Sequence, residues 1–156
     1  MPVRRLPARP DLEQLQRQAK ELLRAIHAGD ASAVAELRER HPDAVEPAAA
    51  KLADAQLTLA RCYEASSWTR LVHAVRLADA IWRDDAETVR ALVAGNPTLI
   101  HEPVLIRKGS NWGPPMTYAA NLGRNAIVSI SGRSAGSATV AGWLRVVRCN
   151  VRSNER

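Results

Sequence analysis

Two segments of the chain, separated by a constant offset of 55 residues, follow one pattern. In each segment a short apolar helix is followed by a turn at an aspartate, a second helix and a proline that stops it. The matching pairs are Ala25/Ala80, Ile26/Ile81, Asp30/Asp85, Ala31/Ala86, Val34/Val89, Leu37/Leu92 and Pro42/Pro97. A pair of short helices cannot bury its apolar face alone, so it stacks on neighbouring pairs. The repeat therefore predicts an all-α chain of helical hairpins.

The N-terminal helix is the easiest to place. Asp11 is a favoured N-cap residue, and Gln14, three residues later, completes the pattern of a capping box. Apolar residues then recur at three- and four-residue steps, at Leu12, Leu15, Ala19, Leu22 and Ile26. This spacing predicts that they line one face of a helix. Gly29 is expected to end that helix in the left-handed conformation.

The same spacing predicts four further helices. One starts at Asp30 and stops at His41–Pro42. An Ala-rich helix follows, with an inner face expected at Leu52, Gln56, Leu59, Ala60 and Tyr63. The next is capped by Ser66 or Ser67 and runs from Trp68 to Arg83. Asp84 and Asp85 are expected in the first turn of a helix that Asn96–Pro97 ends, where acids complement the helix dipole.

Composition agrees with helices. The chain is 46% apolar and rich in Ala and Leu, with no Phe and two Tyr. Ala and Leu favour helices, whereas β-branched and aromatic residues favour strands. No apolar run approaches the ~18 residues of a membrane span, and the opening residues 1–10 lead into no apolar stretch typical of a secretory signal. We therefore expect a cytoplasmic location and no membrane partner.

The net charge of +6 is unevenly distributed. Residues 124–156 contain six arginines and one acid, Glu155, which gives a net charge of +5, whereas residues 1–123 have a net charge of +1. A protein that binds the phosphate backbone needs basic residues on its folded surface or in a dedicated arm. Nucleic acid is therefore not the expected partner, and binding through the Arg-rich C-terminal tail is the alternative.

No pattern of catalytic or metal-binding residues emerges. The four histidines, His27, His41, His73 and His101, are scattered without HxxxH or HExxH spacing, so no zinc site is expected. Cys62 and Cys149 form no CxxC. Cys62 lies on an apolar helical stretch, which favours a core residue over a nucleophile. We therefore expect no enzymatic activity, no cofactor and no metal.

Residues 114–128 read Pro-Pro-Met-Thr-Tyr-Ala-Ala-Asn-Leu-Gly-Arg-Asn-Ala-Ile-Val and resemble the core of an ankyrin repeat. The residues that carry the likeness are Pro115, Met116, Ala119, Ala120, Gly123, Ile127 and Val128. Paired alanines let two helices approach closely, and Gly123 permits the reversal between them. Three positions depart from the family pattern, with Pro114 in place of Thr, and Thr117 and Arg124 each in place of His.

The N-terminal half is similar to the opening of certain bacterial ankyrin-repeat proteins, through "LPARPDLEQLQRQAKELLRA" and "AQLTLARCYEASSWTRL". The two resemblances cover roughly residues 6–130 and imply a solenoid of about three to four degenerate repeats with an N-terminal capping helix. The expected organisation is an extended leader over 1–10, a repeat domain over 11–130 and a poorly ordered or loosely docked basic tail over 131–156. The pattern of the repeats is lost near Ser129. We therefore hypothesise that a frameshift or rearrangement in the gene put this tail in the place of further repeats.

The resemblance implies a module that binds another protein, and the partner depends on surface residues that a fold does not specify. Ankyrin proteins present their inter-repeat loops to partners, which makes Asn111, Trp112 and Gly113 the candidate binding loop. A tryptophan in such a loop is a typical binding hot spot. The alternative is that Trp112 packs over the adjacent helices. The partner's identity and the oligomeric state stay open.

Overall fold

The helices are described by a computed structural model, which covers residues 4–7, 9–101, 104, 119, 120 and 122–134. The α-helices are α1 (Leu12–His27), α2 (Ala31–Arg40), α3 (Leu52–Cys62), α4 (Trp68–Trp82), α5 (Ala86–Gly95) and α6 (Asn125–Ser134). Two 3₁₀ turns cover Pro47–Ala49 and Pro97–His101, and Ala119 and Ala120 are also helical. No strand occurs among these residues, so the prediction of an all-α chain is confirmed for them.

The chain divides into two compact units, Met1–Arg76 (unit 1) and Leu77–Arg156 (unit 2). The division falls inside α4, at a point where the helical spacing of the sequence continues without interruption. The repeat pattern in the sequence does not predict a division into two units inside this helix.

In unit 1, α1, α2 and α3 pack against one another. The predicted apolar face of α1 is confirmed at Leu15, Ala19, Leu22 and Ile26, which are buried. Leu37 of α2 and Leu59 of α3 are fully buried in the same unit. Each such leucine contributes about 1.5–3 kcal/mol by leaving water.

Helix starts follow local capping chemistry. Asp11 is the N-cap of α1, and its carboxylate accepts a hydrogen bond from the Glu13 amide at 2.8 Å. The capping box predicted between Asp11 and Gln14 is therefore replaced by a bond to Glu13. Asp30 accepts from the Ala33 amide at 2.9 Å. Each cap satisfies an amide that has no partner inside its helix.

The inner face predicted for α3 is wrong in part. Leu52 is exposed, and Gln56 is only partly buried. Leu59, Ala60 and Tyr63 are buried as predicted, and Ala55, Thr58 and Cys62 are buried as well. The sequence of α3 is apolar on several sides, so periodicity alone does not choose which side faces the neighbouring helices.

In unit 2, one apolar cluster holds the described residues together. α5 packs against the Pro97–His101 turn and against α6. The cluster consists of Leu77, Ala80, Ile81, Val89, Val93, Leu99, Ile100, Ala119 and Ile127. These residues come from α4, α5, the 3₁₀ turn and both sides of Gly123, so the cluster joins these parts of the unit.

α6 crosses the boundary predicted between the repeat domain and the tail. α6 continues through Ser134, beyond the expected end of the helical part at residue 130. Residues 135–156, which make up the rest of the predicted basic tail, lie outside the described residues.

Candidate functional site

The turn after α1 has a defined geometry. Gly29 has φ of 74°, in the left-handed region. The Asp30 amide donates to the Ala25 carbonyl and the Gly29 amide donates to the Ile26 carbonyl, both at 3.0 Å. This pair of bonds is the Schellman motif, which satisfies carbonyls left without partners at a helix end.

The same turn occurs three more times in the described residues. Its left-handed residue is Glu64 (φ 62°), Asp84 (φ 59°) and Gly123 (φ 70°). The longer bonds run from the amides of Ala65, Asp85 and Arg124 to the carbonyls of Ala60, Ala80 and Ala119, each at 2.9 Å. In all four turns, the first included, the carbonyl that accepts this bond belongs to an alanine.

Sequence reasoning missed the turn at Glu64, because a left-handed position favours glycine and glutamate carries a Cβ that disfavours it. Each of the four left-handed residues has an alanine four positions before it, at 25, 60, 80 and 119. Three of these turns, at Gly29, Asp84 and Gly123, lead directly into a second helix.

Asp84 and Asp85 have different roles from those predicted. Asp84 is the turn residue and precedes the helix, whereas Asp85 is the N-cap of α5. The Asp85 carboxylate accepts from the Thr88 amide at 2.9 Å and from the Thr88 hydroxyl at 2.7 Å. These bonds, the amide bond first, lower the pKa of Asp85. Asp84 therefore forms the turn and Asp85 forms the cap.

Arg124 connects two consecutive turns of unit 2. Its Nη2 donates to the main-chain carbonyl of Trp82 at 2.9 Å, and its Nη1 lies 3.6 Å from the Asp84 carboxylate. A guanidinium at the end of a helix is favourable because the last carbonyls carry partial negative charge. Arg124 thus joins the turn that follows Ala119 to the turn that follows Ala80.

The residues of the ankyrin-like motif are placed as follows. Ala119 and Ile127 are fully buried, while Ala120 and Val128 are partly buried. Gly123 is exposed in the turn between them. The other predicted residues, Pro115 and Met116 of the motif and Asn111, Trp112 and Gly113 of the binding loop, lie outside the described residues.

A polar cluster in unit 1 surrounds the end of α3. The Arg4 Nη2 donates to both carboxylate oxygens of Glu36, each at 2.9 Å. The Arg4 amide donates to the Cys62 carbonyl at 2.9 Å. Burial lowers the pKa of Arg4, but the hydrogen bond and the charge of Glu36 outweigh it, so the pKa is raised. Beside them, the Tyr63 hydroxyl donates to Gln18 Oε1 at 3.1 Å.

Cys62 is a buried free thiol. Burial, and after it the negative charge of Glu36, raises the pKa of this thiol above its ordinary value. Only the thiolate is a strong nucleophile, so burial and a raised pKa both disfavour reaction at Cys62. Cys62 is thus a small, buried residue of the core.

The described part of the chain contains no group of three or more His, Cys, Asp or Glu side chains placed to hold a metal ion. The His41 side chain, only 5% exposed, lies against Asp54 at 3.4 Å and so occupies a buried linker position. Among the same residues, no helix has the length and apolar character needed to cross a bilayer.

Comparisons of the chain with family models, with curated proteins and with solved structures gave no match.

Proposed function

We propose that the chain is a degenerate ankyrin-like stack of helical hairpins that binds another protein and catalyses no reaction. The observation that carries the proposal is the recurrence of one Schellman turn, with an alanine carbonyl accepting its longer bond each time. A stack of hairpins is built from such repeated turns, since each pair of helices must reverse in the same way to meet its neighbour.

The contact between Arg124 and the carbonyl of Trp82 supports the same proposal. In a stack, each repeat contacts the one before it, and the turn of one repeat lies beside the turn of the next. Arg124 occupies the position that the ankyrin pattern gives to histidine, so in this chain a guanidinium replaces imidazole in bonding between repeats.

The side chains of unit 1 favour binding over catalysis. The Cys62 thiol is buried and has a raised pKa, and the nearby arginine and glutamate neutralise each other in a two-pronged ion pair. Covalent catalysis by a cysteine needs an accessible thiolate with an adjacent base. We propose that partner binding uses the segment between the turns at Asp84 and Gly123, with Asn111, Trp112 and Gly113 at its centre.

The test compares two tryptophans. A partner captured from the source cell with the tagged chain is purified, and its affinity is measured for the wild type, Trp112→Ala and Trp143→Ala. Loss of a central aromatic anchor costs 2 kcal/mol or more, so Trp112→Ala should weaken binding by about 30-fold or more. Trp143→Ala, in the predicted tail, is the matched control and should bind as the wild type does.

The salt dependence of binding distinguishes protein binding from the alternative function, nucleic-acid binding by the Arg-rich tail. Binding of the Arg-rich tail to nucleic acid should weaken by about 500-fold between 50 mM and 200 mM salt, if each of its five arginines contacts one phosphate. Protein binding through the loop should change far less. Retained affinity in Trp112→Ala, together with a steep salt dependence and loss on replacing Arg145, Arg148 and Arg152, would reject the protein-binding proposal in favour of the tail.

A further inference from the structure

The N-terminal residues 4–7, which we call the N-terminal strap, bind to unit 1 in the manner of a short linear peptide. None of them is helical, and they precede α1. Arg4 is partly buried and Leu6 is buried, whereas Arg5 and Pro7 are exposed. Alternation of buried and exposed side chains is what an extended segment shows when one side of it lies on a surface.

Three contacts hold the strap. The Arg4 guanidinium donates to both oxygens of Glu36 on α2, and the Arg4 amide donates to the Cys62 carbonyl at the end of α3. Two residues later, the Leu6 side chain is 7% exposed. A main-chain hydrogen bond combined with places for alternate side chains is the usual basis of peptide recognition. The ion pair adds a requirement for a basic side chain at this position, because one guanidinium nitrogen of Arg4 donates to both carboxylate oxygens of Glu36.

Glu36 is well placed for this role. Its side chain is 13% exposed, so its charge is mostly removed from water and gains strongly from a fixed partner. The Cys62 carbonyl lies in the last turn of α3, where carbonyls have no partner within the helix. Both groups therefore need an external donor, and the strap supplies one to each.

We propose that the edge of unit 1 formed by Glu36 and the end of α3 is a binding site for an extended protein segment of the pattern Arg-X-Leu. The chain's own strap occupies the site in cis, and a partner that carries the same pattern replaces it. The site is built from residues of unit 1 alone, so its existence does not depend on the ankyrin-like interpretation.

A tethered occupant competes at an effective concentration of the order of millimolar for a short connection. A free peptide should therefore bind weakly to the wild type and much better once the strap is weakened. The probe is a fluorescent peptide with the sequence of residues 2–9, Pro-Val-Arg-Arg-Leu-Pro-Ala-Arg. Its control carries alanine at the positions of Arg4 and Leu6.

Binding is measured to full-length wild type and to the variants Arg4→Ala/Leu6→Ala and Arg5→Ala. We expect at least tenfold tighter binding to the double variant than to the wild type, and no change for Arg5→Ala, whose side chain is exposed. Adding Glu36→Gln to the double variant should weaken binding about tenfold, as loss of a hydrogen bond between charged groups does. Glu39→Gln makes the same change on the same helix and is the matched control. Equal binding to wild type and double variant, or equal binding of the alanine peptide, would overturn the proposal.

A second measurement uses the wild-type chain alone, in case the double variant does not fold. Hydrogen exchange at the Arg4 amide is followed by NMR as peptide is added to millimolar concentration. Displacement of the strap should accelerate exchange at least tenfold with the native peptide and leave it unchanged with the alanine peptide. An exchange rate that is the same with both peptides contradicts a replaceable strap. Neither assay involves Trp112, so failure here leaves the test of the proposed function unaffected.

Discussion

The guanidinium of Arg124 donates a hydrogen bond at 2.9 Å to the carbonyl of Trp82, which lies 42 residues earlier in the chain. The acceptor belongs to the last residue of α4, and the donor follows the left-handed turn at Gly123. One side chain thus binds a carbonyl at the end of a helix and links two turns of unit 2.

Arg124→Ala should destabilise unit 2 by about 1–3 kcal/mol, because it removes the donor and leaves the Trp82 carbonyl without that bond. Urea unfolding followed by tryptophan fluorescence measures the change. Arg83→Ala is the control, since the Arg83 side chain is 56% exposed and pairs with Asp79 across one helical turn. Such exposed pairs are worth about 0.3–0.5 kcal/mol. If the two variants lose equal stability, Arg124 has no special role.

Gly29→Ala and Gly95→Ala should change the free energy of unfolding in opposite directions. Gly29 has φ of 74° and no atom within 4 Å of an added Cβ, so Gly29→Ala costs only the backbone strain, about 1–2 kcal/mol. Gly95, at the end of α5, has equal space and no left-handed φ. Gly95→Ala should therefore stabilise the chain by about 0.5–1 kcal/mol. Denaturant midpoints test both variants, and a shift in the same direction for both would show that φ is not the deciding factor.

Lowering the pH should reduce the stabilisation that the Asp85 cap gives to the first turn of α5. The Thr88 amide, and then its hydroxyl, lower the pKa of Asp85 below its ordinary value of 3.8. A lowered pKa in the folded state means that the carboxylate stabilises the fold above about pH 3.8 and loses this effect as pH falls through the folded-state pKa. Asp85→Asn keeps a good capping residue but removes the titration.

The free energy of unfolding, measured between about pH 5 and pH 2, should therefore fall less steeply for Asp85→Asn than for the wild type. Glu87→Gln makes the same carboxylate-to-amide change on the same helix without removing the Asp85 cap, and serves as the matched control. Parallel curves for Asp85→Asn and wild type would show that the cap does not contribute to the acid response.

The paired alanines before Gly123 should differ in their tolerance of larger side chains. Ala119 is fully buried in the apolar cluster of unit 2, whereas Ala120 is only partly buried. Ala119→Leu should destabilise the chain by about 1–3 kcal/mol through overpacking. Ala120→Leu should cost clearly less. Differential scanning calorimetry compares them, and equal melting temperatures would contradict the packing of Ala119 described above.

The sequence by itself determined the features that depend on residues close together in the chain. The helix start at Asp30, the left-handed turn at Gly29 and the stop at His41–Pro42 all follow from interactions within three or four residues. Such interactions form in the same way wherever the helix lies, so local chemistry predicts them. The all-α class follows for the same reason.

Tertiary structure alone decided which side of each helix is buried. Val34 and Val89 match in the repeat, yet α2 buries Ala33 and Leu37 whereas α5 buries Val89 and Val93. The two faces differ by one residue, a rotation of about 100°. A helical period shows that an apolar face exists, but neighbouring helices select the face where several sides are apolar. The exposure of Leu52 has the same cause.

Tertiary structure also decided the contacts between distant residues. Arg4 binds Glu36 across 32 positions, and no local pattern distinguishes Arg4 from its exposed neighbour Arg5. The left-handed backbone of Asp84 likewise contradicts its intrinsic preference and is held by the bonds of the Schellman turn and the buried helices on either side. The sequence specified where helices begin and end because those are local energies; packing specified what each helix touches because that energy depends on the whole set of neighbours.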